Sequence, residues 1–226
     1  LSATTEGCAP AHGFSISPVA HPQWIAYFAA MKSIPSPFIR YAVVGAALTF
    51  AAARLALAGE PTALELVKEG NQYVSVESKD KVVQIRSEKS IASLTPNLWF
   101  VVYYDPDAKF KATEVKFGAG KKLKVTRPWR VIERGLDKDK VLDNAKLKTD
   151  SDKAIKIASA EPLLKSLRLR ATQLWLQRAD EGPVWKVRLW AAKLKNPTED
   201  ADIGDVYISA TDGKVIRTDL HIDRVD

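Results

Sequence analysis

Residues 184–192 read VWKVRLWAA, and after a polar loop residues 205–225 read DVYISATDGKVIRTDLHIDRV. Alternation at period two puts Trp185, Val187 and Leu189 on one face, with Lys186, Arg188 and Trp190 on the other. Val206 and Ile208 repeat the pattern. Thr211-Asp212-Gly213 supplies a tight turn in which Gly213 takes positive φ. Lys214 to Leu220 alternates again, with Val215 and Ile216 fitting a half-buried strand. The stretch is an antiparallel three-strand unit, and nothing in it has a catalytic arrangement.

A shorter relative of this unit lies upstream. Thr62 to Glu69 is expected to form a short amphipathic helix, its face set by Leu64, Val67 and Lys68. Tyr73, Val74 and Val76 read either as strand or as a helix continuing to about Ser78. Lys81 to Arg86 is a strand. Leu98 to Tyr104 (LWFVVYY) is an apolar, aromatic-rich run of the kind covered on both faces of a sheet. Asp105-Pro106-Asp107 is a turn, and Phe110 to Phe117 shifts phase in a way that predicts a bulge near Thr113. Gly118-Ala119-Gly120 turns the chain, and Leu123 to Val125 returns it.

A charged connector over 127–149 leads to a helix from about Asp152 to Ala160, capped by Asp150 or Ser151. Leu174, Trp175 and Leu176 open a second sheet, and Ala179 to Pro183 form a hairpin loop. Trp99, Trp175 and Trp185 are expected to pack inside. Trp190 is either a half-exposed ring rimmed by Lys186 and Arg188 or a ring covered by the 152–160 helix.

Set side by side, Trp99–Tyr104 stands against Trp185–Trp190, and Gly120-Lys121 against Gly213-Lys214. The fold class expected is therefore α+β: two similar units, 59–126 and 150–226, each a short helix on a small antiparallel sheet. Whether the two sheets join is left open by the sequence.

Further out lies an address. From Met31, Lys32 and Arg40 form a positive region, Tyr41 to Ala53 an apolar region, and Ala56 and Ala58 an Ala-x-Ala site. A signal peptide over 31–58, cut before Gly59, is expected. The thirteen residues of the apolar run fall short of the roughly 20 that span a bilayer, so no stable membrane anchor is expected. Residues 1–30 show no periodic pattern and are expected to be unstructured or not native. Localisation is then periplasmic or extracellular. The single cysteine, Cys8, lies upstream of the expected cut, leaving no internal disulfide.

The whole chain is formally +7; without residues 1–58, which hold three Lys/Arg and one Glu, 31 basic face 26 acidic residues, or +5. Those charges are interspersed, as in Arg168-Leu169-Arg170, which argues for a solvated mixed surface and against nucleic-acid binding. His221 is the one histidine after residue 58 and has no second His or Cys to complete a zinc site. Asp200, Asp202 and Asp205 read as a loop cluster with some calcium-type ligands, but without the Gly and terminal Glu of an EF-hand. No serine-hydrolase base is on offer, and Gly118–Lys122 lacks Walker spacing. No catalytic, cofactor or metal residue is assigned, and no enzyme is expected.

At DKAIKIA (152–158), PVWKVRLW (183–190) and GDVYISATDGKVI (204–216) the chain resembles the PepSY family. These segments follow that family's helix, its W-x-V strand and its closing strand with an x-A-x-x-G-x-V turn. The resemblance covers about Asp150 to Asp226, and the first unit follows it in outline. It implies a helix over a small antiparallel sheet, a bacterial envelope setting, and binding of a secreted enzyme as inhibitor or sensor. The family's motifs are structural, so no catalytic residue carries over.

The expected function is a non-enzymatic exported module that binds an envelope protein or secreted enzyme. Lys186, Arg188, Trp190 and Tyr207 are the candidate contact residues. The alternative is binding of anionic cell-wall polymer or lipid through a basic sheet face, with a hydrolytic enzyme the least favoured.

Overall fold

Apolar residues at 63, 66, 67 and 70 recur at helical spacing, and helix α1 forms over Ala63–Gly70 with those four positions buried. The face differs by a residue from the one centred on Leu64 and Lys68, because Lys68 lies exposed and Leu66 points inward. The computed structural model describes residues 60–127 and 138–226. The expected signal peptide, its cleavage site, residues 1–30 and the start of the connector at Pro128 lie outside the described residues. Asn71–Tyr73 and Val76–Ser78 form 3₁₀ turns, so neither the strand nor the longer helix forms there.

Strands β1 (Val82–Ser87), β2 (Leu98–Tyr104), β3 (Ala112–Gly118) and β4 (Lys121–Thr126) follow in turn. Helix α2 (Ser151–Ser159) comes next, capped by the Asp150 carboxylate on the Ser151 N–H. The chain ends with β5 (Leu169–Ala179), β6 (Gly182–Ala192), β7 (Asp200–Ser209) and β8 (Val215–Leu220). All eight strands make one antiparallel sheet in the order β4-β3-β2-β1-β5-β6-β7-β8. The fold is α+β, and the two sets of strands join through β1 and β5, where Gln84 faces Gln177, Ile85 faces Leu176 and Arg86 faces Trp175.

Pairing of β2 with β3 is regular from Tyr104↔Ala112 to Leu98↔Gly118, so the bulge expected near Thr113 is absent. The irregularity falls between Lys116 and Phe117, against β4. The β5–β6 hairpin is tighter than expected: strand pairing runs to Ala179↔Gly182, with Gly182 at φ 120°. Gly213 takes φ 76° in the β7–β8 turn.

Both helices pack on one face of the sheet. Leu66, Val67, Ala154, Ile155 and Ala158 share a core with Ile85, Val101, Phe117, Leu176, Trp185, Val187 and Ile208. Leu142 and Leu147 of the segment before α2 join it, so part of the connector belongs to the core. Among the described residues the other face carries no helix. Its apolar core is small, built on Val83, Val102 and Ala112.

Candidate binding surface

Strand alternation decides what the helix-free face presents. In β6, Trp185, Val187 and Leu189 turn to the core, which sends Lys186, Arg188 and Trp190 to the open side. Trp175 does the same in β5, because Leu174 and Leu176 fill the core on either side of it. The inward placement expected for Trp175 is therefore overturned: it is half-buried on the face opposite Trp185.

Register then aligns these side chains across the whole sheet. Lys124 faces Lys116, and Lys116 faces Phe100. Phe100 faces Arg86, and Arg86 faces Trp175. Trp175 faces Lys186, Lys186 faces Tyr207, and Tyr207 faces Arg217. One row thus crosses all eight strands, with a cation on each side of every ring.

Stacking holds the row. The Arg86 guanidinium lies 4.1 Å from the Phe100 ring centre and the Lys116 ammonium 5.1 Å from it. Lys186 lies 5.5 Å from Trp175 and 5.8 Å from Tyr207, and Arg217 caps the other side of Tyr207 at 4.0 Å. Such contacts contribute about 0.5–1 kcal/mol each at exposed sites. Their larger effect here is order, since long cationic side chains are held flat against rings and their heads are fixed in place.

Carboxylates flank the row. Glu114 pairs with Arg86. Asp205 accepts two hydrogen bonds from Arg188, from Nε at 2.9 Å and Nη2 at 3.2 Å, and lies 3.1 Å from Lys186 Nζ. Burial works to raise the Asp205 pKa, but hydrogen bonds and charge from Arg188 and Lys186 prevail and hold it below the usual carboxylate range. The same contact with Asp205 pushes the Arg188 pKa up. Among the described residues, Lys116, Lys124 and Arg217 make no ion pair.

Lys186, Arg188, Trp190 and Tyr207 all lie on the open face. Trp190 is half-buried near the far end of β6, with the Lys89 ammonium 4.9 Å from its ring and Asp202 opposite it. Helix α2 packs on the other side of the sheet, so it does not cover Trp190. Sequence reasoning missed Arg86, Phe100, Lys116, Lys124, Trp175 and Arg217. The signal for Trp175 was present in the alternation with Leu174 and Leu176. Nothing local marked Arg86 as its neighbour, 89 positions away.

Of two concavities, the smaller is lined in part by residues of the row. This one, of about 350 Å³, lies between the β5–β6 hairpin and β8, with Val184, Tyr207 and Ile216 as its apolar part and Lys186, Arg217 and Glu181 at its rim. Another, of about 700 Å³, lies beside the 88–97 loop and is lined by Lys89, Ile91, Arg168, Arg170 and Asp200. Asp200 is already held there by Lys89 at 3.1 Å and Arg170 at 3.4 Å.

The Asp200, Asp202, Asp205 cluster is not a loop. All three lie in strand β7, and each has Lys or Arg within 4.0 Å. Among the described residues no group of three His, Cys, Asp or Glu side chains is placed to hold a metal ion. His221 Nε2 lies 3.3 Å from Asp219 Oδ1, with both side chains exposed at the sheet edge. No helix among the described residues is long and apolar enough to cross a membrane.

Compared with protein-family models, curated proteins and solved structures, the chain matches none of them.

Proposed function

We propose that the chain is a non-enzymatic, exported, PepSY-like module that binds another protein on the open face of its sheet, as inhibitor or sensor of a secreted enzyme. The observation that carries this is the cation–aromatic row from Lys124 to Arg217, with paired carboxylates on its flanks. Fixed charges of both signs beside the half-buried Trp175 and Tyr207 rings suit an oriented protein contact. The sequence resemblance over 150–226 supports the PepSY assignment. So does the order of elements, in which a helix and four strands on one side of the β1–β5 pair are followed by a helix and four strands on the other. On this basis 59–126 and 150–226 are related units, with 127–149 as the connector. Export rests on Lys32 to Ala58, and N-terminal sequencing of envelope material should begin at Gly59.

One observation favours anionic wall polymer or lipid as ligand: among the described residues, Lys116, Lys124 and Arg217 carry no ion pair. The cations in the middle of the row argue the other way, since Arg86 and Lys186 are already paired with Glu114 and Asp205. A polyanion would have to displace those carboxylates.

Affinity capture from envelope extract with the full chain separates the two. A protein should be retained by the parent chain, lost from a Lys186→Ala/Tyr207→Ala variant, and held as salt rises. A polyanion contact would weaken steeply with ionic strength. Equal capture by parent and variant would remove the open face from consideration.

A further inference from the structure

The two edges of the sheet are not equivalent. Edge β4 reads KKLKVT and is exposed along nearly its whole length. Antiparallel pairing of two such edges about Leu123 would set Lys122 against Lys124 twice, and like charges directly opposite are destabilising. Lysines on an edge guard it against pairing.

Edge β8 reads VIRTDL and lacks that guard. It stands at the end of the sheet with no strand on its outer side among the described residues, and Val215 and Ile216 are 38% and 40% exposed. Its sequence is self-complementary about Thr218. Two antiparallel copies in that register set Arg217 against Asp219 twice and Thr218 against itself, while Ile216 falls in the register shift against β7 and takes no part. Opposite charges and Thr–Thr pairs are favourable cross-strand neighbours.

We infer that β8 pairs with β8 of a second copy of this chain, forming a two-fold dimer through a continuous sheet. The contact is isologous, so it closes at two chains and does not propagate. Arg217 then lies between its own Tyr207 ring, at 4.0 Å, and the facing carboxylate of the partner's Asp219. Asp219, which stands opposite Asp205 of its own β7 and 3.3 Å from the exposed His221 Nε2, gains a cation. The open faces of both copies become one surface. A six-residue edge covers less than the roughly 800 Å² per partner of a stable interface, so the dimer is reversible and concentration-dependent. It shares Arg217 with the open-face row but does not require a ligand there.

Sedimentation of the full chain from low micromolar to millimolar concentration tests this. The mass should rise from one chain to two and stop. Arg217→Asp and Asp219→Arg alone should each weaken dimerisation about tenfold or more, because each replaces opposite charges by like ones at two places. Mixing the two variants should restore a heterodimer, since the altered positions are then complementary. The mixture also guards against variants that merely fold poorly, which would not recover on mixing. A single chain at every concentration, growth beyond two chains, or variants that dimerise like the parent would overturn the inference.

Discussion

The backbone N–H of Ala63 donates to Ser151 Oγ at 3.0 Å, linking the first turns of two helices that lie 88 residues apart in sequence. Beside it, one oxygen of Asp150 accepts from Ser151 N–H at 2.6 Å and from Leu64 N–H at 3.2 Å. The N-termini of α1 and α2 therefore meet, and a single carboxylate serves both. Two positive helix ends in proximity are unfavourable unless an anion lies between them.

Removing that carboxylate should loosen both helices at once. Asp150→Ala is expected to cost about 1–2 kcal/mol, the range of a lost N-cap. Ser151→Ala leaves the buried Ala63 N–H without an acceptor and should cost about 1–3 kcal/mol. Denaturant midpoints measure both. A shift confined to signals from α2, with α1 unaffected, would show that the shared cap does not couple them.

Tyr103 and Gly70 make a second long-range fit. The Tyr103 hydroxyl donates to the Val67 carbonyl at 2.9 Å, and a Cβ built on Gly70 would lie 2.2 Å from that hydroxyl oxygen. Gly70→Ala should destabilise by about 1–3 kcal/mol through overpacking. In a Tyr103→Phe background the nearest atom is a ring carbon at 3.1 Å, so the same substitution should cost clearly less. Additive costs in the double variant would contradict the close approach.

Trp185 is fully buried, and its indole N–H donates to the Thr149 carbonyl at 2.8 Å. Trp185→Ala should cost about 3–5 kcal/mol. An unchanged midpoint in urea would mean that the inward face of β6 is misassigned.

Acid should weaken the open face. Burial pushes the Asp205 carboxyl up, but Arg188 and Lys186 hold it below its ordinary range. At Asp105 burial is likewise overcome, by the Thr113 hydroxyl, the Asp107 amide and Arg127. A carboxyl with a lower pKa folded than unfolded contributes fully above its unfolded value, about 4, and that contribution is lost as pH falls through the folded value. Asp205→Asn should be less stable than the parent at neutral pH, with the gap closing below about pH 4. A gap independent of pH would rule out the charge contribution.

Much of the fold was legible from local pattern. Alternation around Trp185 and Val187 gave strand β6 and its inward face, and Asp150 marked the start of α2. The Gly213 turn followed from its backbone freedom. Where competing periods overlapped, the sequence was less clear, as around Tyr73, where 3₁₀ turns replace both alternatives. The cation–aromatic row was legible only in pieces. Lys186 and Tyr207 share a hairpin and could be paired from sequence, whereas Arg86 meets Trp175 only because β1 pairs with β5. No local signal specifies that pairing, since both strands have suitable apolar inward faces and many partners would satisfy them.

The most direct test of the proposed binding face is lysine modification of the full chain, free and with a protein retained in the affinity capture. Lys116 and Lys186 lie on the open face, whereas Lys153 and Lys156 lie exposed on α2 across the sheet. Binding should protect Lys116 and Lys186 and leave Lys153 and Lys156 as reactive as before. Protection of Lys153 and Lys156 with Lys116 and Lys186 unchanged would contradict the open face as the binding surface.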